Sequence, residues 1–257
     1  MTDFTVEEGK INIEISSGIG IIEFFHPMSN SLPGKLLADL TKSITDMGKN
    51  DKVNVIILKS HGDRAFCGGA SFEELISIKD VEGGKRFFSG FANVINACRK
   101  CPKIIIGRVQ GKAVGGGVGL ASATDYCMAT EAASVKLSEL AVGIGPFVVG
   151  PAVERKIGLS AMSQLAINAT EWQTALWARD KGLYSEIYPS IVELDKAVDE
   201  FANRLSKSNP EALRELKQVF WQGTEHWDEL LKERAAISGR LVLSDFTKNA
   251  IEAFKKK

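Results

Sequence analysis

The chain has 257 residues, 44% of them hydrophobic, enough to bury a core over most of its length as one large domain or a main domain with a helical appendage. Its 32 basic side chains balance 32 acidic ones and no segment concentrates Lys and Arg, which excludes a phosphate-tracking nucleic-acid groove as the main partner surface. The longest apolar run, "AVGIGPFVVGPAV", is too short and too rich in Gly and Pro to cross a bilayer, and the acidic start "MTDFTVEEGK" lacks the apolar core of a secretory signal, so no membrane association is expected and the cytoplasm is the expected location.

In chain order, "KINIEI" and "GIGIIEFF" read as strands joined by the turn "SSG" into a hairpin. "LPGKLLADLTKSITDMG" has apolar residues at helical spacing with Pro33 near its start. "VNVIILKS" is a buried strand, "VEGGKRFFSGFANVINACRK" an amphipathic helix and "KIIIGRV" a second buried strand. "DYCMAT" and "ASVKLS" are short strand candidates, and "VGPAVERKIG" and "SAMSQLAINA" read as helices. From "SIVELDKAVDEFANRLSKS" onward the pattern is almost wholly helical, which places a boundary near residue 195.

Two glycine-rich turns stand out, "HGDRAFCGGASFEEL" and "GKAVGGGVGLASATD", each following a buried strand and each opening a helical run. At such a junction backbone N–H groups are unpaired and the helix dipole presents positive potential. Glycine lets a ligand approach the main chain because no Cβ intervenes. Phosphate binding is the obvious candidate, but the spacing does not suit it: Gly111 and Gly116 have the P-loop interval and are followed by Gly117 rather than Lys-Ser/Thr, and Gly115, Gly117 and Leu120 break the dinucleotide pattern. Two turns that each aim one N–H at a single oxygen form an oxyanion hole, in which one donor is worth about 3 kcal/mol of barrier. One such turn alone reads equally well as tight helix–strand packing.

The four cysteines, Cys67, Cys98, Cys101 and Cys127, are expected to be free thiols. Cys98 and Cys101 form a C-x-x-C that ends a helical pattern and lacks the further ligands of a zinc site. His26, His61 and His226 are widely separated and none is assigned to catalysis. No cluster has metal-ligand spacing, so neither a metal nor a nicotinamide is expected.

Taken together, "HPMSNSL", "RAFCGGASFEEL", "VQGKAVGGGVGLASATDYCMAT" and "VKLSELAVGIGPFVVG" resemble the motifs of the crotonase, or enoyl-CoA hydratase/isomerase, superfamily, and "GLYSEIY" and "FTKNAIEAFKKK" its later features. The resemblance implies an α/β fold, a crotonase-like spiral of repeated β-β-α units with a C-terminal helical region. It divides the chain into a core at 1–195 carrying the CoA-thioester site and a helical trimerisation region at 196–257. Homotrimers or hexamers are implied, with "EHWDELLKERAAISGRLVLSDF" at or near an interface. With Trp221 just before it, Trp227, Leu230, Leu231 and Leu241 give that region more apolar surface than a solvated tail needs. No cofactor is implied beyond coenzyme A, which the acyl-CoA substrate carries.

Position by position, the resemblance makes Ala70 and Gly116 the N–H donors to the thioester oxygen and Glu139 the catalytic acid–base. Cys67, Gly68 and Gly69 shape the CoA-binding turn, and Gly115 and Gly119 belong to the second turn at the substrate. Classical hydratases of the family carry a second glutamate where this chain has Gly119, and Ser71, Ser138 and the order Gly145-Pro146 are further departures. Hydration usually needs one group to position water and another to deliver a proton, whereas one base that carries a proton can move a double bond. A subset resembling 3-methylglutaconyl-CoA hydratases shares "GGGVGL" followed by "LSE", and there glycine is expected to leave room for a branched or carboxylated acyl group. Hydration of a branched or substituted 2-enoyl-CoA is therefore placed ahead of isomerisation. Decarboxylation and a catalytically weak CoA-thioester-binding subunit stay open. Glu73, Glu74, Glu131 and Glu154 are expected to be surface carboxylates, Glu154 being the strongest substitute acid among them.

Overall fold

The computed structural model describes residues 9–255, so most of the acidic N-terminal stretch lies outside the described residues. Strands β1 (Lys10–Ser16) and β2 (Ile19–Phe25) pair antiparallel around Ser17 and Gly18, both at positive φ (52° and 80°). A two-residue turn with both central residues in that region matches the right-handed twist of the strands it joins. Helix α1 (Gly34–Gly48) follows, then β3 (Val55–Ser60) and α2 (Phe72–Ser77), which Ser71 caps through Glu74 N–H. Helix α3 (Val81–Lys100) begins at the Asp80 cap and leads to β4 (Ile104–Val109). Short β5 (Ala113–Val114) and α4 (Gly116–Ser122) come next, then β6 (Tyr126–Thr130) and β7 (Val135–Lys136).

Helix α5 (Gly150–Ile167) is broken at Gly158, whose φ of 74° is not helical, so its two segments match the two helical readings of the sequence. Helices α6 (Ala175–Asp180), α7 (Ile191–Ser206), α8 (Pro210–Phe220), α9 (Trp227–Leu241) and α10 (Asp245–Lys255) complete the chain, with β8 (Glu186–Tyr188) between α6 and α7.

The main sheet runs β1-β2-β3-β4-β6-β8, parallel except for the β1–β2 hairpin, and β5 and β7 form a second, two-stranded parallel sheet. Alternate residues of the central strands face opposite sides, and both sides are covered. Ile56, Leu58 and Ile105 enter the large core with Leu37, Leu40 and Ile95 of α1 and α3. Val55, Ile57, Ile104 and Ile106 pack against Leu194, Val198 and Ala202 of α7 and Leu213 of α8. Burial on both faces is why these strands read as continuous apolar runs.

The C-terminal apolar residues correct one expectation. Trp221, Trp227 and Leu231 are buried within their own chain and supply no free apolar surface for an interface, while Leu230, packed on the same core, and Leu241 are partly exposed. The two indole rings meet edge to face at 5.9 Å, and Trp221 Nε1 donates to Asp125 at 2.8 Å. Among the described residues, no helix is long and apolar enough to cross a membrane.

Candidate active site

The two glycine turns meet. Parallel bridges join Leu32 to Ala70 and Cys67 to Ala113, so the loop after β3 is held by the residue run before α1 on one side and by β5 on the other. In the first bridge Leu32 N–H donates to Gly69 O at 2.8 Å and Ser71 N–H to Leu32 O at 3.4 Å. A parallel bridge of this kind uses the groups flanking Ala70 and leaves the N–H of Ala70 itself aimed away from it. Buried Asn30 braces the same loop, its side-chain amide donating to His61 O at 3.0 Å and Ala65 O at 2.9 Å.

A glycine at positive φ precedes each candidate donor: Gly69 (φ 88°) before Ala70 and Gly115 (φ 51°) before Gly116. These conformations suit residues without a Cβ. A Cβ on Gly69 would also lie 2.8 Å from Val114 O and 3.5 Å from Gly116 N, which measures how closely the turns approach. Gly115 N–H donates to Lys136 O at 2.8 Å, and Gly115 O accepts from Val118 and Gly119 as the first turn of α4. Among the described residues the N–H groups of Ala70 and Gly116 have no hydrogen-bond acceptor within the chain. Both residues line one cleft, which encloses about 590 Å³ of space including its open mouth.

Glu139 enters that cleft from the loop after β7, just before a single 3-10 turn at Leu140–Val142. Its backbone carbonyl accepts from Val142 and Ile144 at 3.2 and 3.0 Å, fixing the loop. A Cβ on Gly115 would lie 2.9 Å from Glu139 Oε1, so the carboxyl rests on the glycine that precedes the second donor. Part of the residue stays accessible, but Oε2 is buried and has no partner. Burial pushes the Glu139 pKa up to about 7, against a smaller opposing pull from its own backbone N–H.

The rest of the wall is apolar, with Leu75, Phe88, Phe91, Val142, Val148 and Val149 among its members; Ser138 and Ser238 are the other polar side chains. A neighbouring cavity shares Gly68, Ala70, Phe72 and Val114 with this one and is lined by His26, Ser31, Glu73, Lys112 and Trp172. Lys112 and Lys136 both stack on the Trp172 ring, at 4.8 and 4.5 Å from its centroid. The two glycine turns thus separate a cleft whose one charged side chain, among the described residues, is Glu139 from a cavity that carries Glu73 and Lys112.

Six of the eight residues expected at the site line the cleft together: Gly68, Gly69, Ala70, Gly115, Gly116 and Glu139. Cys67 lies behind them, its carbonyl and Cβ filling the space where Gly117 would carry a Cβ, and burial pushes its thiol pKa up to about 12. Gly119 also lies off the cleft. A Cβ there would come within 2.4 Å of Val149 Cγ1, so Val149, which does line the cleft, packs directly on this glycine. Glu73, Glu131 and Glu154 are exposed, while Glu74 is partly buried and accepts from Gly34 N–H at 2.6 Å. None of these four lines the cleft.

An apolar cleft with two backbone donors at one end and one carboxyl beside them defines a protein that stabilises an oxyanion while moving a proton. Comparison with known proteins agrees with that class. The family model described as enoyl-CoA hydratase/isomerase matches residues 14–257. A probable enoyl-CoA hydratase of Bacillus subtilis is 26% identical over 249 residues, covering 96% of each chain. The mouse mitochondrial methylglutaconyl-CoA hydratase is 32% identical over 201 residues, covering 76% of this chain and 63% of that one. Among solved structures, an enoyl-CoA hydratase from Bacillus halodurans superposes with a TM-score of 0.87 at 22% identity, over 95% of this chain and 99% of that one, a likeness of fold. The chain belongs to the enoyl-CoA hydratase/isomerase family and has its α/β crotonase-like fold. It is an enzyme of that family, acting on an acyl-CoA thioester.

Proposed function

We propose that this enzyme moves a double bond along an acyl-CoA by single-carboxyl proton transfer, converting 3-enoyl into 2-enoyl thioesters. The observation that carries this reading is that, among the described residues, Glu139 is the only titratable side chain lining the cleft. The thioester oxygen accepts from Ala70 and Gly116 N–H, with the acyl chain in the apolar cleft and the CoA arm leaving past Lys112 and Trp172. Glu139 as carboxylate takes a proton from C2. The C2–H electron pair forms the C2=C3 bond, the former C3=C4 pair binds the returned proton at C4, and the enolate between the two steps is held by the two N–H groups. A pKa near 7 suits a group that must both take and return a proton at neutral pH.

Hydration of a branched 2-enoyl-CoA is the second reading. The identity with methylglutaconyl-CoA hydratases and the unpartnered Glu139 Oε2, a ready acceptor for a water, favour it. A carboxylated acyl group fits less well, because among the described residues no Lys or Arg lines the cleft to meet it. By family resemblance we also infer a homotrimer or hexamer in the cytoplasm, with residues 196–257 as the trimerisation region. Light scattering at micromolar concentration checks the assembly, and a monomeric mass would refute it.

The reaction is tested by incubating the enzyme with 3-enoyl- and 2-enoyl-CoA in D2O and separating the products. Interconversion of the two enoyl isomers without 3-hydroxyacyl-CoA is the expected outcome. Formation of 3-hydroxyacyl-CoA with no isomer interconversion would replace this reading with the hydratase.

A further inference from the structure

We infer that Ser238 recognises an uncharged oxygen on the far part of the acyl chain, so that the substrates are acyl-CoA thioesters bearing a distal hydroxyl or keto group. This rests on the acyl-CoA site proposed above and names the class of acyl group that fills it.

Among the described residues three buried side-chain oxygens have no hydrogen-bond partner: Glu139 Oε2, Tyr184 Oη and Ser238 Oγ. The first and last line the same cleft. A helical serine has an easy alternative, donating back to the carbonyl one turn earlier. This chain uses that bond where no site is at stake: Ser122 donates to Val118 O, Thr41 to Leu37 O and Thr45 to Thr41 O, each at 2.8 Å. Ser238, with no accessible surface, makes no such bond. An unpartnered buried hydroxyl is costly, and since neither Glu139 nor Ser138, the other polar side chains of the wall, bonds it, its remaining partner is a polar group on what the cleft binds.

The close contact between α3 and α9 puts the hydroxyl there. A Cβ on Gly84 would lie 2.6 Å from Gly239 O, and a Cβ on Gly239 would lie 2.5 Å from Lys85 N, so the helices touch backbone to backbone beside Ser238. Along α3, Phe91 marks the oxyanion end, since a Cβ on Gly116 would strike its ring at 2.2 Å. Gly84 and Phe91 are separated by about 10 Å of helix at 1.5 Å per residue. That distance sets Ser238 beyond the carbons that exchange the proton and against the distal chain. A hydroxyl both donates and accepts, so it serves an alcohol or a ketone; with no cation in the wall among the described residues, a carboxylate is disfavoured.

The test uses unreactive S-alkyl CoA thioethers of matched medium chain length: plain, hydroxylated and keto, with the oxygen walked along the distal carbons. Calorimetry with the wild-type enzyme is expected to show one oxygen position binding at least about tenfold tighter than the plain chain, with the hydroxyl and keto ligands separating the two sources of that oxygen. Ser238→Ala should bring that ligand to within about twofold of the plain one, leave plain-chain affinity unchanged and keep or raise the unfolding midpoint. Ser238→Cys, close in size but a poor hydrogen-bonding group, should behave as Ala does. Equal binding of all ligands by the wild-type enzyme would overturn the inference, as would a preference that survives Ser238→Ala or an equal loss for plain and oxygenated ligands. Because the thioethers do not react, a Ser238-dependent preference with no double-bond transfer would sink the proposed reaction and leave this inference standing.

Discussion

Two carboxylates are buried within one stretch of this chain, and they are treated in opposite ways. Asp125, with 3% of its side chain accessible, is surrounded by donors: Lys217 Nζ and Trp221 Nε1 at 2.8 Å and Ile105 N–H at 2.7 Å. Lys217, itself 2% accessible, also donates to Lys103 O, so both members of the pair are hydrogen-bonded beyond each other. Glu139 faces an apolar wall with one oxygen unpartnered. The first arrangement ties α8 to the start of β4 and β6; the second keeps the proton affinity of a carboxyl close to neutrality. Burial alone therefore does not mark a catalytic acid. What sets Glu139 apart is a buried oxygen without a partner, beside a cleft.

The largest effect should come from breaking the satisfied pair. Lys217→Met strips the buried Asp125 of its ion-pair partner, leaving only the Trp221 and Ile105 N–H donors, and is expected to cost about 3–5 kcal/mol in denaturant unfolding. The double variant Asp125→Leu/Lys217→Met should recover a large part of that loss, whereas additive losses would mean that the two groups act independently.

Glu139→Gln should act on chemistry instead, lowering turnover at least about a hundredfold while thioether affinity stays nearly intact. Near-wild-type turnover would remove Glu139 from the mechanism. The same substitution is expected to stabilise the free enzyme at alkaline pH. Below the ordinary Glu pKa of 4.5 both folded and unfolded states hold the proton, so burial of charge costs nothing there. As pH rises from 4.5 towards about 7 the unfolded chain ionises first, the native state keeps the proton, and stability falls. Above that window the wild type carries the full penalty, about 3 kcal/mol for the shift, which Gln does not share. Chemical denaturation at pH 5 and pH 8 should show a gain for Gln that is larger at pH 8. On the activity side, kcat/KM for 3-enoyl-CoA should climb from acid pH and level off above about 7, because the free enzyme must hold Glu139 as carboxylate to take the first proton.

Smallest is the effect expected at Gly119. Gly119→Glu must displace Val149 and should cost about 1–3 kcal/mol of stability without creating hydration of straight-chain enoyl-CoA. Adding Val149→Ala should restore stability. A single Gly119→Glu variant that hydrates crotonyl-CoA faster than the wild type would show that the space is more adaptable than the packing implies.

Most of the frame was legible from residue patterns. The hairpin turn announced itself in "SSG", α3 runs over the very segment its periodicity marked, and the central strands showed as unbroken apolar runs because both faces of the sheet are covered. Three-residue β8 and six-residue α6 were not legible as elements, being too short for either period to register. The C-terminal tryptophans read as surface because an amphipathic pattern shows that a face is buried without showing against what; Trp221 is instead held in the core by Asp125. At the site, the glycine turns and "LSE" singled out by resemblance Ala70, Gly116 and Glu139, which the fold brings to one cleft. Ser238 was missed, since a serine within a helix carries no positional signal. Its neighbour offered one: Gly84 and Gly239 each sit inside a helix, where glycine costs about 1 kcal/mol relative to alanine, a cost that close helix contact explains.

The contact between Gly119 and Val149 also constrains how this sequence can change. An acidic side chain at 119 and the valine at 149 occupy the same space, so they exclude each other. Acquiring the glutamate first means an overpacked core, and shrinking the valine first means a cavity in the wall of the acyl cleft. Either order is expected to pass through a less stable intermediate, so a second carboxyl at 119 calls for a paired change at 149.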